Sequence, residues 1–480
     1  LSKIAENMKK IIYMTISGAC MLAATSCESF LDEGLKGDYS SENYYTSAVQ
    51  AEMAVNAVYN SLYGNTLWIF GDVASDDAVK GGNAGDQADI NNIDDFSAVA
   101  DNGCLGTYWQ SAYETIARAN NVITNVPGVS MDEKVKADYI AQAKFLRAYA
   151  YFNLVNIFGQ VPLKLKPQTT SDAIHVGLSS IDKIYSQIDE DLTDAKNALP
   201  VTATEAGRAT KGAAFALLAK SKLFQKDWKT CADYADSVEK TGVYDLVKNY
   251  ANLFKAGAED SVECVFAIRY GNTADASLGN NLNVWFSPAT EGGYYFDAPT
   301  QAYVDCFSEK TADGKVDPRL DASIGREGQP WFNGTTFSSE WSEATGYLVK
   351  KYDEDLSETQ AKSQSTIPQH LIRYADVLLM HAEALNEQNN PSEAAKYVNK
   401  VRERAGLAAT SATSQSAMRD VIRVERRREL GFEFHRFFDV MRYGKEYAES
   451  VLGDSFKWSE PRFYYPIPQS ETETNKALQK

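Results

Sequence analysis

Apolar residues recur at helical spacing along much of this chain. Ala51, Ala54, Val55, Val58 and Leu62 fall at steps of i, i+3, i+4 and i+7, which predicts a first amphipathic helix. Thr107–Asn125 repeats the pattern, with Trp109, Tyr113, Ile116 and Asn120 on one face. Lys134–Phe158 is the strongest case: Val135, Tyr139, Ala143, Leu146, Ala150, Asn153 and Ile157 form one stripe, and Gly159 ends it. Ile181–Ala198 is a shorter helix stopped by Pro200. Between the first two lies Gly64–Gly106, where Asp-Asp, Gly-Gly and Asn-Asn pairs break the period and predict a long functional loop.

Two later stretches pair up. Lys211–Gln225 and Asp227–Lys240 are helical patterns with a very short joint, and small residues on their facing sides allow close approach. A second pair follows far downstream. Leu371, Tyr374, Leu378, Ala382 and Leu385 predict one helix. Asn390 as N-cap, Pro391 at N1 and Glu393 in the first turn open its partner, which ends at Gly406. Such units resemble tetratricopeptide repeats, which must stack to bury their faces. Thr241–Gln369, between the pairs, is rich in Gly, Asn, Ser and aromatics, with β-like runs at Val262–Tyr270 and Tyr347–Lys351. It reads as a loop-dominated subdomain inserted into a mainly α chain. Ala417–Glu429 and Phe432–Tyr443 are two further helices before an irregular end. The expected organisation is repeat helices at about 45–240 and 370–445 of a single domain, 45–480, with the insertion at about 241–369.

The N-terminal region is of another kind. Met8-Lys9-Lys10 precedes an apolar run from Ile11 to Ala24, and Ala24-Thr25-Ser26 leads to Cys27. This is a secretory signal, too short to span a bilayer as a stable helix. A cysteine after small residues resembles a bacterial lipobox, although Ala24 stands where Leu is usual. Residues 1–26 are therefore expected to be removed, Cys27 to carry lipid, and 27–44 to form a polar tether. An ordinary signal with an incidental cysteine is the plain alternative, and Cys20 a weaker lipidation position. The formal charge of −17 opposes binding to nucleic acid and to anionic headgroups. Cys104, Cys231, Cys264 and Cys306 form no C-x-x-C pair; export permits disulfides, but spacing assigns none.

Catalytic signatures are absent. His381-Ala382-Glu383 matches half of a zinc-deaminase motif, but no P-C-x-x-C follows. There is no H-E-x-x-H, G-x-S-x-G or G-x-x-x-x-G-K-[ST], and the four His residues form no close pair for a metal. Asp313, Asp317 and Asp321 crowd acids into a loop without EF-hand spacing, so no cofactor is expected and bound calcium stays a minor, unsupported alternative. Glu425-Arg426-Arg427-Arg428-Glu429, together with Glu433/Arg436 and Asp439/Arg442 at i,i+3, reads as helix surface laced by local ion pairs.

Several segments, in order, resemble the SusD/RagB family of outer-membrane nutrient-binding lipoproteins. They are Cys27-Glu-Ser-Phe-Leu-Asp; Ala143 to Gly159 with Val161-Pro-Leu163; Arg208 to Lys220; Ile372 to Ala384 leading into Val398 to Leu407; Glu425 to Glu433 with Arg436 to Gly444; and Tyr465-Pro-Ile-Pro468 with Glu471 and Asn475. The resemblance implies four tetratricopeptide-like helix pairs plus an irregular binding half. It implies a non-enzymatic lipoprotein on the outer face of the outer membrane, one that captures an oligosaccharide and delivers it to a SusC-like TonB-dependent transporter. It also implies a ligand site built from the early loop and the insertion. Sugar rings stack on aromatic faces, and their hydroxyls need polar partners. The candidates are Trp68, Asp76, Asp77, Lys80 and Asn83 from the loop. From the insertion come Trp285, Phe286, Tyr294, Tyr295, Phe296, Trp331 and Trp341, with Trp285, Tyr294 and Trp68 foremost. Peptide capture within the family, a secreted glycoside hydrolase, and a scaffold that binds only the transporter stay open at this stage.

Overall fold

Helix caps mark where the periodic segments begin. The computed structural model describes residues 44–64, 66–271, 278–355 and 362–479, and contacts divide the chain after Thr46. The signal segment, Cys27 and residues 27–43 of the tether lie outside the described residues. Within Ser47–Lys480, Ser47 caps α1 (Ala48–Asn60) and Asn102 caps α2 (Gly103–Asn125), four residues before its apolar period starts. Asp132 caps α3 (Glu133–Phe158), accepting from the Lys134 and Val135 amides at 2.9 and 3.1 Å. Ser180, Thr210 and Asp227 do the same for α4 (Ile181–Ala198), α5 (Lys211–Phe224) and α6 (Trp228–Glu239). After the insertion come α7 (Tyr374–Glu387), α8 (Pro391–Arg404), α9 (Gln415–Leu430) and α10 (Arg436–Tyr443). Asn390 occupies the cap position of α8, but its side chain makes no capping bond.

Each helix from α1 to α8 packs on the next in chain order, giving four pairs in series. The insertion leaves after α6 and returns to α7, which itself lies against α6, so the stack continues across it. The mainly α expectation holds. From Ala141 onward almost every face of α3 is buried, and a single stripe understates it: α2 and α4 enclose it on two sides. Arg147 crosses this core by donating to Asp191 at 2.7 and 2.8 Å and to Asn120 at 2.7 Å.

Three expectations are corrected. Leu371 belongs to a strand rather than to a helix, because Gln369–Arg373 pairs antiparallel with Cys264–Ile268, and α7 starts only at Tyr374. Phe432 and Phe434 adopt positive φ (61° and 69°), so the helix expected over Phe432–Tyr443 opens only at Arg436. Residues 66–106 carry regular structure: a π-helical turn at Ile69–Val73 and strand β1 (Ala78–Gly81), both largely buried, then an exposed turn and a helix at Ala88–Asp94. Gly71 is needed there, since a Cβ would lie 2.3 Å from the Phe434 carbonyl oxygen.

Short antiparallel strand pairs pin the irregular segments. They join β1 to β5 (Phe296–Pro299), β2 (Val161–Pro162) to β3 (Leu178–Ser179), β4 (Cys264–Ile268) to β8 (Gln369–Arg373), and β6 (Ile324–Gly325) to β7 (Leu348–Val349). The β1–β5 pairing (Ala78 opposite Pro299, Gly81 opposite Phe296) sets the early segment beside the insertion.

Buried charge ties the insertion to α9. Arg373 donates to Glu433 at 2.6 and 2.8 Å, to Glu429 at 2.9 Å and to Glu263. Arg319 bridges Asp317, Glu425 and Glu429. The ion pairs expected along one helix face are thus mostly long-range and interior. Asp439/Arg442 is a local pair at 2.7 Å, whereas Glu433 joins Arg373 and Lys351 while Arg436 joins Asp76.

Candidate functional site

Residues from both sides of the β1–β5 pairing form an aromatic platform. Trp68 lies just before the π-helical turn and is buried. The Trp285 ring lies against it at 5.7 Å between centroids, and Phe286 meets it edge-on at 5.3 Å. Tyr294 and Phe296 flank Trp285 at 5.7 and 5.5 Å. Such edge and tilted contacts suit the ring quadrupoles. Trp68, Phe286 and Phe296 are interior, Trp285 is half-buried, and Tyr294 is 52% exposed. Trp68 therefore supports the surface from beneath, and Trp285 with Tyr294 presents it.

The backbone that presents these rings is tightly constrained. The Tyr294 amide donates to the Val284 carbonyl at 2.8 Å and the Tyr295 amide to Ser287 at 3.0 Å, closing a turn behind the Leu282–Phe286 helix. Tyr295 and Asp297 take φ of 43° and 56°, the left-handed region that non-glycine residues seldom occupy. Backbone held there costs about 1–3 kcal/mol per residue and concentrates at functional sites.

The polar candidates divide. The Tyr295 hydroxyl donates to Asn83 Oδ1 at 2.7 Å, and Asn83 is exposed. Lys80 is buried; its Nζ donates to the Asn83 and Asp86 carbonyls at 2.8 and 2.9 Å and lies 5.4 Å from the Phe296 ring centre. Lys80 therefore shapes the loop that carries Asn83. Asp76 and Asp77 face cations. Asp76 accepts from Arg436 at 2.7 and 2.9 Å, and Asp77 accepts from Arg427. Burial pushes the Asp76 carboxyl up, but Arg436 and Arg427 outweigh it and hold the group below its ordinary range. These two aspartates anchor the early segment to α9 and α10.

Trp331 and Trp341 belong to a neighbouring cluster with Phe337 and Leu348, against which Tyr295 packs. The Trp331 indole donates to Glu291 at 2.8 Å. Lys362 links Glu291 (3.0 Å) to Asp353 (2.9 Å) and Ser287 (2.8 Å).

Sequence reasoning missed three acids. Asp72 and Asp297 are fully buried, and neither side chain has a hydrogen-bond partner among the described residues. Burial first raises both well above their ordinary values, with Asp297 and Asp77 adding to it at Asp72, and Asp77 and Asp94 at Asp297. Asp72 sits in an apolar run, Trp68-Ile-Phe-Gly-Asp-Val73, and an acid there is the signal that was available. Glu291, which fixes the Trp331 indole, has no such signature.

Among the described residues no group of three or more His, Cys, Asp or Glu side chains is arranged to hold a metal ion. Asp313 pairs with Lys315, Asp317 with Arg319 and Asp321 with Arg326. Cys104, Cys231, Cys264 and Cys306, the cysteines among the described residues, are free thiols. His381 lies 2.8 Å from Glu239, and Glu383 binds Arg442, so both serve helix packing. No helix of the described residues is long and apolar enough to cross a membrane.

Comparison with known proteins gives a consistent result. Residues 262–480 match a model described as SusD family, and residues 29–223 match one described as starch-binding associating with outer membrane. A SusD-like protein P2 from Formosa agariphila is 29% identical, covering 95% of this chain and 96% of its own. A laminarin-binding SusD-like protein of known structure is 28% identical with a TM-score of 0.78, covering 90% of this chain and 98% of its own. A SusD-like carbohydrate-binding protein from Bacteroides fragilis is 28% identical with a TM-score of 0.80, over 91% and 100%.

Proposed function

Because the chain belongs to the SusD/RagB family, we propose that it binds a glycan on the Trp285–Tyr294 surface. The observation that carries this reading is the convergence of rings from two distant segments, with the outermost left open to solvent. Stacking of a pyranose on Trp285 uses the ring's apolar C–H face. Asn83, beside the Tyr295 hydroxyl, offers amide hydrogens and a carbonyl to sugar hydroxyls. The names of the relatives, laminarin-binding and carbohydrate-binding, support that ligand class.

The wider role follows from family membership and from the sequence of the N-terminal region. Cys27 carries lipid, the binding body stands on the outer face of the outer membrane, and captured oligosaccharide passes to a SusC-like TonB-dependent transporter. Holding receptor and transporter in one plane raises their effective concentration. Co-purification from solubilised membranes tests the partnership, and failure to recover a transporter overturns it.

Laminarin- and starch-derived oligosaccharides are the probes for the surface itself. Replacing Trp285 and Tyr294 with Ala together should lower affinity by about tenfold or more, since each stacked ring contributes about 0.5–1.5 kcal/mol. Unchanged affinity in a variant with an unchanged Tm would exclude the platform.

A further inference from the structure

A cavity of about 580 Å³ opens beside the Trp331 cluster, between residues 248–256, 318–322 and 350–355. That volume falls within the range of small-ligand sites, about 300–1,000 Å³. Tyr250 and Phe254 form its buried floor. Phe332 is a half-exposed wall ring, and it packs against the same Trp331–Phe337–Leu348 cluster as Tyr295 of the platform. Lys350 lies 5.5 Å from the Phe332 centroid, its Nζ fixed by a 2.6 Å bond to the Pro330 carbonyl. Across the cavity, Asp321 is held by Arg326 at 2.8 Å. Lys362 joins the two regions by bridging Asp353 on the cavity wall to Glu291 beneath Trp331.

The charge pattern selects a class of ligand. The wall carries four basic side chains (Lys248, Lys255, Lys350, Arg404) and four acidic ones (Asp321, Asp353, Glu354, Asp355). In a chain of net charge −17 this local balance gives no field favouring a polyanion or a polycation. It does surround an aromatic face with donors and acceptors, the inventory that a neutral polyhydroxyl ring needs. We propose that this cavity is a second saccharide subsite, taking a neutral hydroxyl-rich unit stacked on Phe332, with Lys350 and Asp321 as hydroxyl partners. The proposal rests on the carbohydrate reading for the class of ligand, and on its own geometry for the place.

The test counts sites by calorimetry on the full chain with neutral laminarin and maltose oligosaccharides. Ala256 is exposed at the cavity wall, so Ala256→Trp fills the opening without touching the core. Two classes of site are expected in the parent protein. The Trp285→Ala/Tyr294→Ala variant should keep only the cavity class. Ala256→Trp should lose that class, by about tenfold or more in affinity, and leave platform binding within about twofold. Phe332→Ala should weaken the same class as Ala256→Trp. If platform substitution abolishes all binding and Ala256→Trp changes neither affinity nor stoichiometry, the cavity proposal fails and the platform reading stands. If no neutral saccharide binds the parent protein, both fail. Cavity binding that collapses with added salt would overturn the neutral-ligand assignment.

Discussion

Glu429 and Glu433, around Arg373, are as deeply buried as Asp72 and Asp297 beneath the aromatic platform, yet the two regions hold their acids in opposite states. Around Arg373 each carboxylate meets several guanidinium or ammonium groups. Burial pushes the Glu429 carboxyl up, but Arg404, Arg373 and Arg319 pull it down to about 2. Glu433 is likewise held low by Arg373 and Lys351. Beneath the platform the cations run out. Arg427 and Arg436 serve Asp76 and Asp77, and the cation that chiefly opposes the rise at Asp72, Lys351, is bonded to Glu433. For these four acids the cations in contact set the direction against burial, whereas two arginines each are not enough for Glu263 or Asp77, which burial still raises. Fully paired, the first region is scaffold. The second combines unpartnered acids, left-handed backbone and half-exposed rings, which is where a fold departs from its own rules to make a binding surface.

Breaking the first region should give the largest effect. Arg373→Met keeps much of the volume but leaves Glu263, Glu429 and Glu433 short of a partner in the interior. Removal of one member of a buried ionic network costs about 3–5 kcal/mol. Denaturant titration should show that loss, with Arg373→Lys recovering part of it through charge without the planar fork. A loss below about 1 kcal/mol would mean that the lattice is not what joins the insertion to α9.

The pH response separates the regions with opposite signs. Glu429 and Asp439, both lowered to about 2, contribute stability that is complete above their unfolded values and is lost as pH falls through that window. Raised groups do the reverse. Asp94 and Asp353, pushed up to about 6 by burial, and Asp72 and Asp297, also raised by burial, favour the fold fully only below their unfolded values. Their contribution disappears as pH rises through the folded values. Thermal stability should therefore peak in acidic buffer near the unfolded carboxylate values, about pH 4 to 4.5, and decline on both sides. Asp297→Asn removes an ionisable group from the second region only. It should flatten the decline toward neutral pH, raising Tm there by about 2 °C, while leaving the acid limb in place. A parallel shift of both limbs would show that the regions are not independent.

The sequence makes the first region legible in type and the second in place. The apolar period announces α4, α5 and α6, and Ser180, Thr210 and Asp227 open them as caps that act within one turn and need no tertiary partner. The Arg and Glu residues of α9 are visibly ion-pairing, but their partners Arg319 and Arg373 lie far away in sequence, and spacing offers only the local pairs. Leu371 fits a helical stripe and yet is in a strand, since pairing with β4 overrides local periodicity. Trp68, Trp285 and Tyr294 stand out by residue type, and the β1–β5 register that joins their segments decides which of them faces outward. Asp297 could not be read, since its burial and its left-handed backbone are set by the turn that packs Trp285.

The smallest effect tests whether burial separates the Arg373 lattice from an ordinary ion pair. Lys396 and Glu393 on α8 approach to 2.6 Å, the same distance as Arg373 to Glu433. Their side chains are 65% and 48% exposed. In water the Coulomb gain is nearly cancelled by hydration and by the entropy of fixing two long side chains, so such pairs contribute about 0–0.5 kcal/mol. Lys396→Ala should leave the denaturant midpoint almost unchanged, and added salt should change parent and variant alike. A loss comparable to that of Arg373→Met would show that ion-pair geometry alone, without burial or multiple partners, accounts for the lattice, and the contrast between the two carboxylate regions would lose its physical basis.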